Sequence, residues 1–513
     1  MGFTGRRRGV PVAALVLALF AAGCEGAPRE RPGAGPETRP EPAAGPALPV
    51  ARVCGAPAAG PARAPAGAVP VDPAVVGDLV AKTEAHGPGT TFWLRPGRHR
   101  LAPGPYDQVV PKEGNRYVGA PGAVLDGRRV NQYAFGGPAR DVTIRHLTVE
   151  NFAAPQDEGV VNHDSADGWT IERATIQHNS GAGLMAGARQ RLLASCLRGN
   201  GQYGMNAYKA GDSIKGLVVE GNEITGNNAD DWERRQPGCG CSGGVKFWAV
   251  DGADVGGNWV HDNRGAGLWA DNNNNDFLVE RNVLEGNDGS ALIYETSYNA
   301  VVRGNEIRRN GLVEGRAAAA DGDDFPYAAV YVSEAGGEPR LPARTDRIEI
   351  SGNVLEDNWS GITLWEAADR FCNSPANTST GYCTPLVGDV RRCVRPAIAT
   401  APLHADCRWR TRRVEISGNR FRLDPAAVGC TTGCGRMAVL ADRGTSPAWS
   451  PYLGGRVAEA ITFAQDNRWH DNAYTGPWTF VARDPGRTLD FARWRAAPYR
   501  QDAGSTLSAR DGG

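Results

Sequence analysis

The sequence predicts an all-β solenoid, and three observations carry that prediction. First, an asparagine closes one short apolar strand after another: V-E-G-N (Asn222), V-G-G-N (Asn258), V-E-R-N (Asn282), V-R-G-N (Asn305) and I-S-G-N (Asn353 and again Asn419). Asn258 and Asn282 are 24 residues apart and Asn282 and Asn305 are 23 apart, which suits one coil of three short strands. Second, G-V-K-F-W (Gly244 to Trp248), G-L-W-A-D-N (Gly267 to Asn272) and A-L-I-Y-E-T (Ala291 to Thr296) alternate with period two, the mark of strands with one face buried. Third, the longer gaps, such as the 66 residues from Asn353 to Asn419, need insertions, and these gather at the ends of one strand per coil.

At the start of the chain, Arg6, Arg7 and Arg8 precede an apolar run, Val10 to Ala22, too short to span a bilayer as a mature helix. The run ends A-A-G-C at Cys24. This resembles the lipobox of bacterial lipoproteins, with Ala21 where leucine is more usual. The resemblance implies a signal peptide over 1–23, lipidation of the Cys24 thiol and an extracellular, surface-anchored protein. An ordinary secretory signal with a chance cysteine is the rival reading. Residues 24–70, rich in Pro, Ala and Gly, read as a flexible tether. Membrane contact is then through the lipid alone. The formal net charge of −1 over 513 residues carries no signature of a nucleic-acid partner, and a monomer is expected.

Residues 71–505 form the solenoid domain, followed by a tail at 506–513. Asp72-Pro73 starts a helix over 72–86, whose Val75, Val76, Leu79 and Val80 make an apolar stripe. Thr91 to Leu94 is a strand, and coils run from about 92 to 502. Gly119-Ala-Pro-Gly-Ala-Val-Leu-Asp-Gly127 resembles the first coil of the pectin-lyase-like right-handed parallel β-helices. In that family a short helix caps the open end of the core, where an apolar face and an unpaired edge would otherwise meet water. Handedness follows from the family and from the chirality of parallel crossovers. Asparagine suits the repeat because it tolerates the left-handed backbone of a tight bend and its amides can bond from coil to coil. A second position follows five residues later: Asn227, Asn263, Asn287, Asn310, Asn358 and Asp424. Trp469 to Ser505 resembles the last coils and tail strand of bacterial carbohydrate-active β-helices.

Ten cysteines remain after Cys24, an even number that predicts disulfides in an exported chain: Cys54, Cys196, Cys239, Cys241, Cys372, Cys383, Cys393, Cys407, Cys430 and Cys434. Cys239 and Cys241 are too close to bond each other without strain, so each is expected to pair elsewhere. Without a C-x-x-C pair or clustered histidines, zinc is not expected.

Segments 228–243 and 311–327 enter before the strand singled out above, and 334–346, 366–411 and 442–456 leave after it. Loops confined to one face of a solenoid build its binding site. Aligning the coils gives two outward columns: Val161, Met185, Asn206, Lys246, Trp269, Ile293, Tyr331, Thr363, and His163, Gly187, Tyr208, Trp248, Asp271, Glu295, Ser333, Trp365. Glu334 and Glu366 stand one residue beyond the second. Coils about 4.8 Å apart make Asp271 and Glu295 stacked neighbours. Two carboxylates at ~5 Å repel by about 3 kcal/mol at an effective dielectric near 20, which raises one pKa and leaves an acid beside an ionised base or nucleophile. Glycosidases need that pair. Trp248, Trp269, Tyr208 and Trp365 offer flat faces for sugar rings, with Glu334, Glu366 and His163 as further polysaccharide contacts. Lys246 supports the carboxylates or, in a lyase acting on an acidic glycan, serves as base.

Rival readings are a surface charge network, aromatics packed under the loops, and a non-catalytic glycan-binding or envelope β-helix. No cofactor is expected, although the oxygens of Asp271 to Asp276 leave calcium open. The sequence lacks the tandem-aspartate and R-I-K pattern of polygalacturonases, the W-I-D-H and R-x-P-x-x-R pattern of pectate lyases and the D-P-H strand of alginate epimerases. No catalytic residue is carried over from them.

Overall fold

The computed structural model describes residues 48–509, apart from 57–59, 237–241, 376–382, 442–448, 454 and 484–485. The expected signal peptide, Cys24, the first part of the tether, Cys239 and Cys241 lie outside the described residues. The chain winds through three sheets. Sheet I has thirteen strands, from Val69–Val71 to Arg468–His470; sheet II has thirteen, from Gly97–Arg100 to Thr506–Ser508; sheet III has eleven, from Gly159–Val161 to Thr488–Leu489. From Gly159 on, each coil visits sheets III, I and II in turn, and among the described residues every strand pairing is parallel except the last of sheet III. This is the parallel β-helix the repeat predicts.

Alternation decides what fills the tube. Val245, Phe247, Leu268, Ala270, Leu292 and Tyr294 point inward and are buried. Phe277 meets Phe247 and Tyr294 edge-on, with centroids 5.3 and 5.7 Å apart, so aromatics stack from coil to coil as the strands do.

Both turns flanking sheet II carry asparagine ladders. Asn222, Asn258, Asn282, Asn305, Asn353, Asn419 and Asn472 form one, each donating backbone N–H and side-chain amide to the next Oδ1 at 2.9–3.2 Å. Asn200, Asn227, Asn263, Asn287, Asn310 and Asn358 form the other. The left-handed backbone expected of these asparagines belongs instead to the residue before each, such as Gly257 (φ 61°), Arg281 (φ 52°) and Gly304 (φ 59°). Glycine has no Cβ penalty there, which frees asparagine for the amide bonds. Asp424 does not extend the second ladder; its N–H bonds the Asp357 carboxylate.

The ends differ from expectation in detail. The capping helix is Asp78–Ala85, not 72–86, because Gly77 (φ 78°) begins it; Leu79 and Thr83 face the core while Val75 and Val76 are exposed. The predicted tail contributes a strand, Thr506–Ser508, paired with Ala473–Thr475. Buried Asp502 closes the first ladder by accepting from Asn472, Tyr474 Oη and Trp494 Nε1 at 3.0, 2.9 and 2.7 Å, so the tail motif works as a cap.

The later part of the predicted tether is fixed. Val53 and Cys54 donate their N–H groups to Glu223 Oε2 at 2.6 and 2.8 Å, Arg52 lies 5.0 Å over the Trp259 ring, and Cys54 is bonded to Cys196. This strap crosses the outside of sheet II. The other described disulfides, Cys372–Cys383, Cys393–Cys407 and Cys430–Cys434, staple the loops. Among the described residues, no helix is long and apolar enough to cross a membrane.

Candidate functional site

The outward face of sheet III assembles most of the predicted columns. Lys246 pairs with Trp269, Trp269 with Ile293, Ile293 with Tyr331 and Tyr331 with Thr363; Trp248 pairs with Asp271, and Glu295 with Ser333 and then Trp365. The top of the alignment is out by one. Val161 pairs with Leu184, not Met185, and sits in the core. Its strand ends at once, because Asn162 turns left-handed (φ 53°). His163 therefore leaves the column and stacks on Tyr133, centroids 3.7 Å apart.

At the centre are three carboxylates and two cations. Lys246, 5% exposed, places Nζ 3.0 Å from Asp271 Oδ2 and 4.1 Å from the centroid of Trp269. Asp271 is partly exposed. Glu295, 8% exposed, accepts from Trp269 Nε1 at 2.8 Å through one oxygen and from Arg370 Nη1 at 3.1 Å through the other. The same Arg370 nitrogen stands 3.3 Å from Glu334 Oε2. Glu334, fully buried, also accepts from Ser333 Oγ and from the Ala367 N–H at 2.7 Å.

Charge follows this wiring. Burial raises the Asp271 pKa and adjacent Glu295 adds to the rise, against the pull of Lys246. Burial pushes Glu334 up to about 7, with Arg370, Ser333 and Ala367 opposing. Burial works against the Arg370 charge, yet Glu334 and Glu295 outweigh it and hold the guanidinium above its ordinary value. The wall thus presents an acid-prone aspartate next to a glutamate held by two donors.

The aromatics divide. Trp269, Tyr208 and Trp365 are partly exposed, whereas Trp248 is buried edge-on against Tyr208 at 6.3 Å. Trp365 stacks on Tyr331, centroids 6.5 Å apart, with Arg370 5.6 Å from its ring. Glu366 is not on the wall. It is fully buried, ion-paired to Arg408, and accepts from Gln465 Nε2 at 2.7 Å and Thr411 N–H at 2.9 Å, so it anchors the loop that follows and cannot reach a ligand. The turn from Asp271 to Asp276 is also committed: Asp271 to Lys246, Asn273 to Trp409 and Cys383, Asn274 to Ser297, Asn275 to Asp251 and Pro342, and Asp276 to Arg344.

Alignment of coils missed Arg370, since it comes from the insertion at 366–411 and belongs to no column. Its one signal is position: it precedes the stapling Cys372 by two residues.

Residues 159–341 match the family described as "Right handed beta helix region". None of the curated proteins matches the chain. Among solved structures, the chain is similar to the A-module of mannuronan C-5 epimerase AlgE4 from Azotobacter vinelandii (15% identity, 59% of this chain and 89% of that one, TM-score 0.40). It is also similar to the catalytic unit of a GH87 α-1,3-glucanase from Streptomyces thermodiastaticus strain HF3-3 (14% identity, 88% of this chain and 69% of that one, TM-score 0.48). With three parallel sheets wound into one tube and the family match across its middle, this chain is a right-handed parallel β-helix protein.

Proposed function

We propose that the protein hydrolyses a polysaccharide laid along the outer wall of sheet III. Asp271 acts as acid, Glu295 as base or nucleophile, and Lys246 supports the pair. The observation that carries this reading is the unlike wiring of two carboxylates on adjacent strands. Asp271 has a raised pKa and a partly exposed side chain, while Glu295 is fixed by Trp269 and Arg370. Glycoside hydrolysis needs such a division, one group giving a proton and the other carrying charge. Trp269, Tyr208 and Trp365 supply faces for sugar rings.

The ion pair and ring contact of Lys246 are those of an ammonium, so the lyase reading, which asks it to take a proton, has less support. The four disulfides among the described residues fit an exported protein, and Cys24 is the proposed site of lipid attachment at the cell surface.

The test is a glycan panel with product analysis, followed by Asp271→Asn and Glu295→Gln on whichever polymer is cut. Each amide should lower reducing-end release by about 10²–10⁴-fold, the scale of general acid–base catalysis, with the melting temperature no lower than wild type. Full activity in either variant removes the assignment. An unsaturated, ultraviolet-absorbing product turns it toward a lyase, and binding without turnover toward a glycan-binding protein.

A further inference from the structure

We infer that Arg370 is a positioning residue which, supplied by a disulfide-stapled loop outside the solenoid repeat, couples buried Glu334 to Glu295 and so decides how firmly Glu295 keeps its charge. The inference rests on the proposed role of Glu295.

Glu334 cannot touch a sugar, because its side chain is fully buried and both oxygens are engaged. Its route to the wall is a single nitrogen, Arg370 Nη1, which it shares with Glu295 at 3.3 and 3.1 Å. Nη1 has two N–H donors and can reach both carboxylates, but the guanidinium carries one positive charge for the two of them. While Glu334 is protonated, the Arg370 charge acts on Glu295 alone and orients it. When Glu334 ionises, the cation is divided and Glu295 loses part of that support. The charged and titratable groups facing Glu334 are Arg370 from the loop, Glu295 from the neighbouring strand and Tyr331 from its own strand, and Asp369 lies beside Arg370.

The loop is built to deliver this residue. Its first N–H after Glu366, that of Ala367, binds Glu334 itself. Ala368 O accepts from Ser450 Oγ, and Phe371 packs against Tyr452 at 5.4 Å. Cys372 is bonded to Cys383, whose carbonyl accepts from Asn273 Nδ2 at 2.9 Å, and Trp409 Nε1 donates to Asn273 Oδ1 at 2.9 Å. Asn273 is two residues beyond Asp271. The same loop therefore holds the turn behind the acid and the cation beside the base.

Arg370→Gln, Arg370→Lys and the wild type are compared in two ways. On the polymer that the protein cuts, Arg370→Gln should lower kcat on the order of 10–100-fold with KM changed little, since the contact it loses orients a charge and not the substrate. The acidic limb of its pH profile should move to higher pH, and Arg370→Lys should recover part of both effects. Independently of turnover, ¹³C-glutamate NMR follows the Glu334 carboxyl, assigned by its loss in Glu334→Gln. Its titration should move above the wild-type midpoint in Arg370→Gln. An unshifted Glu334 titration, or a change in KM alone, overturns the inference. Full activity in Glu295→Gln instead overturns the catalytic reading and leaves the NMR result standing by itself.

Discussion

The asparagine-lined edge between sheets I and II and the mouth of sheet III are built on the same coils, and they obey opposite rules. Along the first, seven asparagines from Asn222 to Asn472 repeat one bonding pattern, although the chain between neighbours ranges from 23 residues (Asn282 to Asn305) to 66 (Asn353 to Asn419). Along the second, successive coils place Lys246, Trp269, Ile293, Tyr331 and Thr363 at one position, and no two agree. The edge fixes the rise from coil to coil; the mouth uses that rise to set unlike groups side by side. Insertions are tolerated where they leave the edge untouched, and the described ones reach the mouth.

Three measurements sharpen this contrast, beginning with the largest effect. The Cys54–Cys196 strap closes a loop of 142 residues across sheet II, whereas Cys430–Cys434 closes one of 4. Chain entropy gives the strap about 5 kcal/mol and the clip about 2 kcal/mol. Denaturant unfolding of Cys54→Ser/Cys196→Ser should lose clearly more stability than Cys430→Ser/Cys434→Ser. Equal losses would mean that the strap does not hold the repeat together.

The second concerns pH. The asparagine side chains of the ladder do not titrate, but Glu334 at the mouth does. Its folded pKa is raised to about 7 from 4.5, so the folded state binds the proton more tightly than the unfolded chain. The stabilisation is complete below pH 4.5 and is lost as pH rises through 7. It amounts to up to about 3 kcal/mol over that window at ~1.4 kcal/mol per pH unit. Glu334→Gln should flatten this part of the stability profile. A slope unchanged in the variant would assign it to another group.

The same contrast explains what the sequence could tell. Coil length, the ladder and the adjacency of Lys246, Asp271 and Glu295 follow from periodicity, which a single chain displays openly. Periodicity fails where a strand is short: a three-residue strand ending at left-handed Asn162 displaced Val161 and His163 by one position. It fails again where an insertion begins, since nothing local distinguishes Glu366, drawn inward by Arg408 and Gln465, from Glu334, which touches the wall through Arg370. Arg370 itself is placed by the Cys372–Cys383 bond and by Asn273, contacts remote in sequence that no repeat encodes. The composition of the tether likewise hides the Glu223 carboxylate that fixes its end.

The smallest expected effect tests the edge itself. Asn282 donates its amide to Val255 O and to Asn305 Oδ1 at 2.9 and 3.0 Å, and its own Oδ1 accepts from Asn258 N and Nδ2 at 3.0 and 2.9 Å. Asn282→Ala removes these bonds and leaves buried donors on Asn258 and an acceptor on Asn305 without that partner. One such orphaned group costs ~1–3 kcal/mol, but parallel strand pairing on both sides of the turn persists and limits the damage, so a loss of about 2 kcal/mol is expected. The site should respond only through stability: at a temperature where the variant is folded, its kcat on the cleaved polymer should match wild type, because Lys246, Asp271 and Glu295 keep their register on sheet III. A variant that is fully stable yet slow would mean that the ladder positions the mouth directly, and the division of labour between the two faces would have to be abandoned.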